Sequence, residues 1–71
     1  EDDVEAVKWY RLAAEQGDAT AQTNLGVMYA IGAGLRQNNV RAYAWSSVAA
    51  AQGDEDARSK RDIISETLTP E

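Results

Sequence analysis

Apolar residues recur along this chain at steps of three and four positions, the spacing of one face of an α-helix. The pattern predicts four helices: over about residues 3–16, from Asp18 to a loop at Gly32, over about 39–52 and over about 55–67. We expect Asp3 to cap the first helix and Asn38 or Asn39 the third, since these side chains accept hydrogen bonds from free first-turn amides. The sequence therefore predicts an all-α fold of two helix pairs.

The apolar stripes of these helices define the expected core. They consist of Ala6, Trp9, Tyr10, Ala13 and Ala14 in the first helix, Ala21, Leu25, Met28 and Tyr29 in the second, and Ala42, Trp45, Ala49 and Ala50 in the third. Both tryptophans could stack on a ligand, but their place on alanine-rich stripes favours burial. A glycine inside a helix costs about 0.5–1 kcal/mol relative to alanine. We therefore expect a neighbouring helix to approach Gly26 closely.

The chain repeats itself at an offset of 36 residues. Nine of the eighteen positions from 4 to 21 are identical to their counterparts, including a tryptophan and a block reading AAxQGD. A period of this length is typical of solenoid proteins, which present extended surfaces to other proteins. The fourth helix breaks the repeat: Arg61, Asp62 and Ser65 replace the Leu, Gly and Tyr of the second helix. A polar terminal repeat is typical of a cap that closes a stack.

The amino-acid composition argues against several classes of function. The chain has 71 residues, a net charge of −5, and neither cysteine nor histidine. The excess of acidic over basic residues argues against nucleic-acid binding, which needs a basic surface. Disulfides, thiolate metal sites and catalysis by Ser-His-Asp or Cys-His groups are excluded within these residues. We predict no enzyme activity, no cofactor and no metal site, and the absence of a long apolar run predicts no membrane insertion.

Two motifs could suggest ligand chemistry, but a structural interpretation is favoured for each. Gly32 and Gly34 resemble a phosphate-binding loop, yet no lysine follows and no strand precedes them, so a turn is expected. The acids Asp54, Glu55 and Asp56 could suggest calcium. They occupy adjacent positions at a helix start, where capping is the simpler role.

The first unit resembles the Sel-one-like repeat, a relative of the tetratricopeptide repeat. The resemblance rests on the pattern Ala6-x-x-Trp9-Tyr10-x-x-Ala13-Ala14-x-Gln16-Gly17-Asp18-x-x-Ala21-Gln22-x-x-Leu25-Gly26-x-x-Tyr29-x-x-Gly32-x-Gly34. It covers nearly all of the first unit and continues through Ala57 in the second. It implies an α/α superhelix of antiparallel helix pairs and an adaptor role in protein complexes, often in bacterial signalling or quality-control systems. The missing cysteines set this chain apart from the secreted, cysteine-rich members.

These features predict one repeat domain over residues 1–71, with units at about 3–38 and 39–71. We expect a protein or peptide to bind the concave surface, which the family resemblance assigns to the first helix of each unit. The alternative is a structural cap of a longer array without partner contact. Candidate partner-binding residues are the exposed charges and one aromatic residue off the main stripe: Lys8, Arg11, Glu15, Arg41 and Tyr43.

We also expect the chain to belong to a longer protein. It begins at Glu1, and Thr69-Pro70-Glu71 has the signature of another helix start. Two units leave an apolar end uncovered, so self-association of this segment is expected. The sequence leaves open the cell compartment, bacterial cytoplasm or periplasm.

Overall fold

A computed structural model describes residues 2–68, which form four α-helices without a strand in that range. They are α1 (Asp3–Glu15), α2 (Ala19–Ile31), α3 (Asn39–Ala51) and α4 (Glu55–Leu68). Short turns join α1 to α2 and α3 to α4, so that each pair forms an antiparallel hairpin. Helix α2 is central, because it packs against the other three helices. The predicted all-α fold of two helix pairs is confirmed.

The two hairpin turns have the same geometry, which explains the repeated AAxQGD block. In the first turn, the Asp18 N–H donates to the Ala13 carbonyl at 3.1 Å, and the Asp18 carboxylate caps α2 by accepting from the Ala21 N–H at 3.0 Å. Gly17 between the helices has a φ of +98°, a left-handed conformation that glycine adopts without a steric penalty. Gly53 (φ +95°) and Asp54 reproduce this turn between α3 and α4.

Hydrogen bonds of buried polar side chains connect the two turns. The Gln22 amide donates to the Ala14 carbonyl at 3.0 Å and accepts from the Gln52 amide at 2.7 Å. The Thr23 hydroxyl lies 3.2 Å from an Asp54 carboxylate oxygen. Because Gln22 and Thr23 are buried, these bonds satisfy groups that would otherwise be costly to desolvate. The hairpins are thereby stacked with both turns at one end.

The core forms where α3 crosses α2. Leu25 and Ala42 are fully buried, and Trp45 and Leu35 pack against the same cluster. At Gly26 a Cβ atom would lie 2.8 Å from the Ser46 Oγ and 3.2 Å from the Ala42 carbonyl oxygen. The expected close approach of a helix at Gly26 is confirmed, and the approaching helix is α3.

The loop between the hairpins is fixed at both ends. Gly32 ends α2 in a left-handed conformation (φ +74°), and Gly34 packs so tightly on the Asp3 backbone that a Cβ atom would clash with it. At the far end, the Asn38 side chain accepts from the Arg41 N–H and caps α3. The predictions of a turn and of an Asn38 cap are confirmed.

Two sequence predictions about α1 are wrong. Its N-cap is Asp2, whose carboxylate accepts from the Val4 N–H at 3.1 Å, while Asp3 is the first helical residue. Trp9 is not in the core, since 64% of its surface is exposed. Its counterpart Trp45 packs against the core because α2 lies beside α3, and within residues 2–68 no helix precedes α1 to cover Trp9 in the same way.

Helix α4 is polar on its outer surface. Ile64 is buried, but Ile63 is exposed, and Arg61 forms an ion pair with its neighbour Asp62 at 3.1 Å. Asp56 and Lys60, four residues apart on α4, form an ion pair at 2.8 Å. Asp54 accepts from the Ala57 N–H and the Thr23 hydroxyl, and it forms no ion pair with Arg58. The predicted helix start at Thr69-Pro70-Glu71 lies outside the described residues.

Candidate functional site

Two arginines from different helices converge on the side chain of Tyr29. A guanidinium N–H of Arg11, on α1, donates to the Tyr29 hydroxyl at 3.1 Å. The guanidinium carbon of Arg41, on α3, lies 5.9 Å from the centroid of the Tyr29 ring, within the range of a cation–π contact. We call Arg11, Tyr29 and Arg41 the Arg–Tyr cluster. It joins the first helix of each hairpin through a residue of α2.

The backbone around Tyr29 holds this cluster in place. Tyr29 is only 7% exposed and belongs to the core, so its position is fixed by packing. The Asn38 N–H donates to the Tyr29 carbonyl at 2.9 Å, and the Asn38 side chain accepts from the Arg41 N–H at 3.0 Å. Asn38 thus connects the end of α2 to the start of α3 and sets the place of Arg41 relative to Tyr29.

The two arginines of the cluster form no ion pair with an acid among the described residues. The ion pairs in the range 2–68 join Lys8 to Glu5, Lys60 to Asp56 and Arg61 to Asp62. Arg11 and Arg41 are therefore cations without a carboxylate partner in that range, in a protein of net charge −5. The Tyr29 hydroxyl accepts from Arg11, and its own O–H has no acceptor within residues 2–68. The guanidinium groups carry only donors, and the Tyr29 O–H adds one more.

The other predicted site residues lie at different distances from this cluster. Lys8 and Glu15 stand three and four residues from Arg11, on the same exposed side of α1. Lys8 is 4.0 Å from Glu5, and Arg11 forms no ion pair with Glu15. Tyr43 is 38% exposed, but it follows Arg41 by two residues, about 200° around the helix. The structure therefore brings Arg11 and Arg41 together, with Lys8 and Glu15 beside them and Tyr43 apart.

The apolar stripe placed Tyr29 in the core, where the structure has it, but sequence reasoning missed that two arginines meet at its side chain. A signal was present in the repeat itself. At the offset of 36, Arg11, Tyr29 and Arg41 pair with Ser47, Ser65 and Glu5, so none of the three is a repeated residue. Repeated positions such as Ala42 serve packing. Positions that differ between the units are where a specific surface can form.

A second surface feature lies between α2 and α4. An open cavity of about 160 Å³ is lined by Val27 and Ala30 of α2 and by Lys60, Ile63 and Ile64 of α4. Lys60 is held by Asp56, so its aliphatic stem forms part of an apolar wall. No group of acidic side chains in the described part of the chain could hold a metal ion.

A model of the Sel1 repeat matches residues 1–18 and 19–54 of this chain. The chain belongs to the Sel1 repeat family. Sel1 repeats are helical, tetratricopeptide-like solenoids, a non-enzymatic scaffold family that generally mediates protein–protein interactions. No curated protein gives a significant match to the chain. Of the helices in residues 2–68, none is both long enough and apolar enough to cross a membrane.

Proposed function

We propose that this Sel1 repeat chain binds a protein or peptide on the face formed by α1 and α3, and that it acts by surface complementarity without catalysis. The observation that carries the proposal is the Arg–Tyr cluster. Two cations from the first helices of successive hairpins meet at one buried ring, with no carboxylate of residues 2–68 paired with them. Fixed, unpaired charges of this kind favour electrostatic recognition of a partner.

The flanking charges support the same face. Lys8 and Glu15 lie on either side of Arg11 along the exposed side of α1. From the start of the helix to its end, this side therefore carries two positive charges followed by one negative charge. Arginine is enriched among residues that dominate binding energy at interfaces. Affinity is therefore expected to depend on Arg11 and Arg41 more than on the peripheral Lys8, Glu15 and Tyr43.

Site-specific photo-crosslinking tests this proposal even while the partner is unidentified. A photoreactive residue replaces Lys8 in one variant and Ser59, an exposed residue of α4, in a matched control. We expect a discrete crosslinked protein from the Lys8 position, and its yield should fall strongly when Arg41→Glu is added. Equal yields from both positions, or a yield unchanged by Arg41→Glu, would place the partner elsewhere.

A structural role as the cap of a longer array is the second candidate, and helix α4 supports it. Arg61 and Asp62 occupy the positions at which α2 carries the buried Leu25 and the closely approached Gly26. An Asp at the position of Gly26 would block an equally close helix, and the Arg61–Asp62 ion pair suits a solvated surface. If capping is the main role, the Lys8 position should crosslink no partner, and Asp62→Gly should promote association through α4.

A further inference from the structure

The Arg–Tyr cluster is a set of hydrogen-bond donors without a matching acceptor. Arg11 uses one guanidinium nitrogen on the Tyr29 hydroxyl, and the Arg41 guanidinium faces the Tyr29 ring without a hydrogen bond to any residue in the range 2–68. The hydroxyl accepts from Arg11, and its own O–H has no acceptor within residues 2–68. Guanidinium groups carry only donors, and a phenol that already accepts a hydrogen bond can still donate one.

We propose that this cluster binds a carboxylate group of a partner polypeptide, held between Arg11 and Arg41 with the Tyr29 O–H as a third donor. The inference rests on the proposed function and names the chemistry that the binding face recognises. A carboxylate fits because it is acceptor-only and planar, and it matches the fork of a guanidinium in a bidentate pair. Charge-assisted bonds of this type are stronger than bonds between neutral groups.

The charges around the cluster favour one carboxylate over an extended polyanion. The chain as a whole has a net charge of −5, which repels nucleic acids and anionic membranes at longer range. On α1, Lys8 stands on one side of Arg11 and Glu15 on the other. A continuous run of acids would meet Glu15, so a single acidic group with a neutral or basic neighbour on that side suits the surface better.

The Tyr29 ring adds specificity because its position is fixed before a ligand arrives. Tyr29 is 7% exposed, and its backbone carbonyl accepts from the Asn38 N–H at 2.9 Å. The hydroxyl in turn orients the Arg11 side chain through the 3.1 Å bond. A site in which one donor is rigid and a second is oriented loses less conformational entropy on binding.

Peptide titration followed by amide chemical shifts in NMR tests the proposal on the full chain, because the method measures weak binding. The probes are short acetylated peptides: a Gly/Ser peptide with one central Glu and an amidated C-terminus, the same peptide with Gln, and the Gln peptide with a free C-terminal carboxylate. We expect the carboxylate-bearing peptides to bind and the amidated Gln peptide not to bind. Comparison of the Glu peptide with the Gln peptide that has a free C-terminus shows whether the cluster prefers a side-chain carboxylate or a chain terminus.

Three variants test whether the carboxylate binds at the Arg–Tyr cluster. Tyr29→Phe keeps the ring and the charge but removes the O–H, and it should weaken carboxylate binding about tenfold, the lower end for a lost bond to a charged group. Arg11→Gln should weaken it at least as much. Arg58→Gln is the matched control, because it removes the same charge from an exposed position on α4 that has no ion pair among the described residues. We expect Arg58→Gln to change the affinity less than about twofold, the size of a screened, distant charge.

Several outcomes would overturn the inference. These are equal binding of the Glu peptide and the amidated Gln peptide, an equal effect of Arg58→Gln and Arg11→Gln, or no effect of Tyr29→Phe in a variant whose circular dichroism shows it to be folded. Equal or tighter binding of inorganic phosphate or of phosphatidylserine vesicles would also contradict it. If Lys8 crosslinks a partner but Tyr29→Phe has no effect, the carboxylate inference fails while the proposed binding face stands. If carboxylate peptides bind but Lys8 crosslinks no protein, the proposed function fails.

Discussion

Replacing Gly26 with alanine should destabilise the protein, although alanine is the better helix former. The new Cβ atom would lie 2.8 Å from the Ser46 Oγ, 3.2 Å from the Ala42 carbonyl oxygen and 3.4 Å from the Ser46 backbone nitrogen. The Ser46 Oγ must therefore shift, and the Ala42 carbonyl oxygen, which is backbone, must give way by a few tenths of an ångström. Overpacking of this kind costs about 1–3 kcal/mol.

The helix-forming preference of alanine opposes this cost by about 1 kcal/mol. The expected net loss in the free energy of unfolding is therefore about 0–2 kcal/mol for Gly26→Ala, and it should be larger for Gly26→Leu, whose extra atoms have no room. Urea denaturation followed by circular dichroism measures the difference as a shift of the midpoint at constant slope.

A double-mutant cycle with Ser46→Gly separates the overpacking cost of Gly26→Ala from its gain in helix propensity. Removal of the Ser46 hydroxyl takes away the nearest of the three contacts, so Gly26→Ala should cost less in the Ser46→Gly background. The reasoning is refuted if Gly26→Ala stabilises the protein by the full helix-propensity gain, or if the two substitutions are additive. Either result would mean that α3 does not lie as close to α2 as the structure places it.

Other substitutions test the packing and the caps by the same denaturation assay. Ser46→Ala should raise stability by about 1 kcal/mol, because its buried hydroxyl has no hydrogen-bond partner among the described residues; a loss would indicate that a partner exists. Asp18→Ala should lower stability by about 0.5–2 kcal/mol through loss of the α2 cap, and a neutral result would contradict that role. Leu25→Ala should cost about 2–5 kcal/mol because the side chain is fully buried. Trp45→Ala should cost more than Trp9→Ala, and the reverse order would show that Trp9 is covered.

The fold was predictable because its determinants are local and repeated. The helix period, the Gly17-Asp18 and Gly53-Asp54 turns and the Asn38 cap each follow from a short stretch of sequence. The error at Asp3 arose because Asp2 and Asp3 are adjacent and both suit an N-cap. Helix ends are least certain where neighbouring residues offer the same chemistry.

The exposure of Trp9 and the role of Tyr29 could not be predicted in the same way. Residue type and stripe position are the same for Trp9 and Trp45, but only Trp45 has a helix on the relevant side within residues 2–68. The Arg–Tyr cluster joins three helices, and Arg11 and Tyr29 are separated by 18 positions. Exposed arginines were candidates from the sequence alone. Their convergence on one ring depends on how the hairpins stack.

The most direct test of the binding face is the amide chemical-shift map of the labelled chain titrated with its crosslinked partner or, failing that, with the single-Glu peptide. We expect shifts on the exposed side of α1 around Lys8 and Arg11, at Tyr29, and in the first turn of α3 around Arg41. The amides of α4 should stay unchanged. Shifts centred instead on Val27 and Ile63, beside the cavity between α2 and α4, would show that binding does not occur on the face formed by α1 and α3.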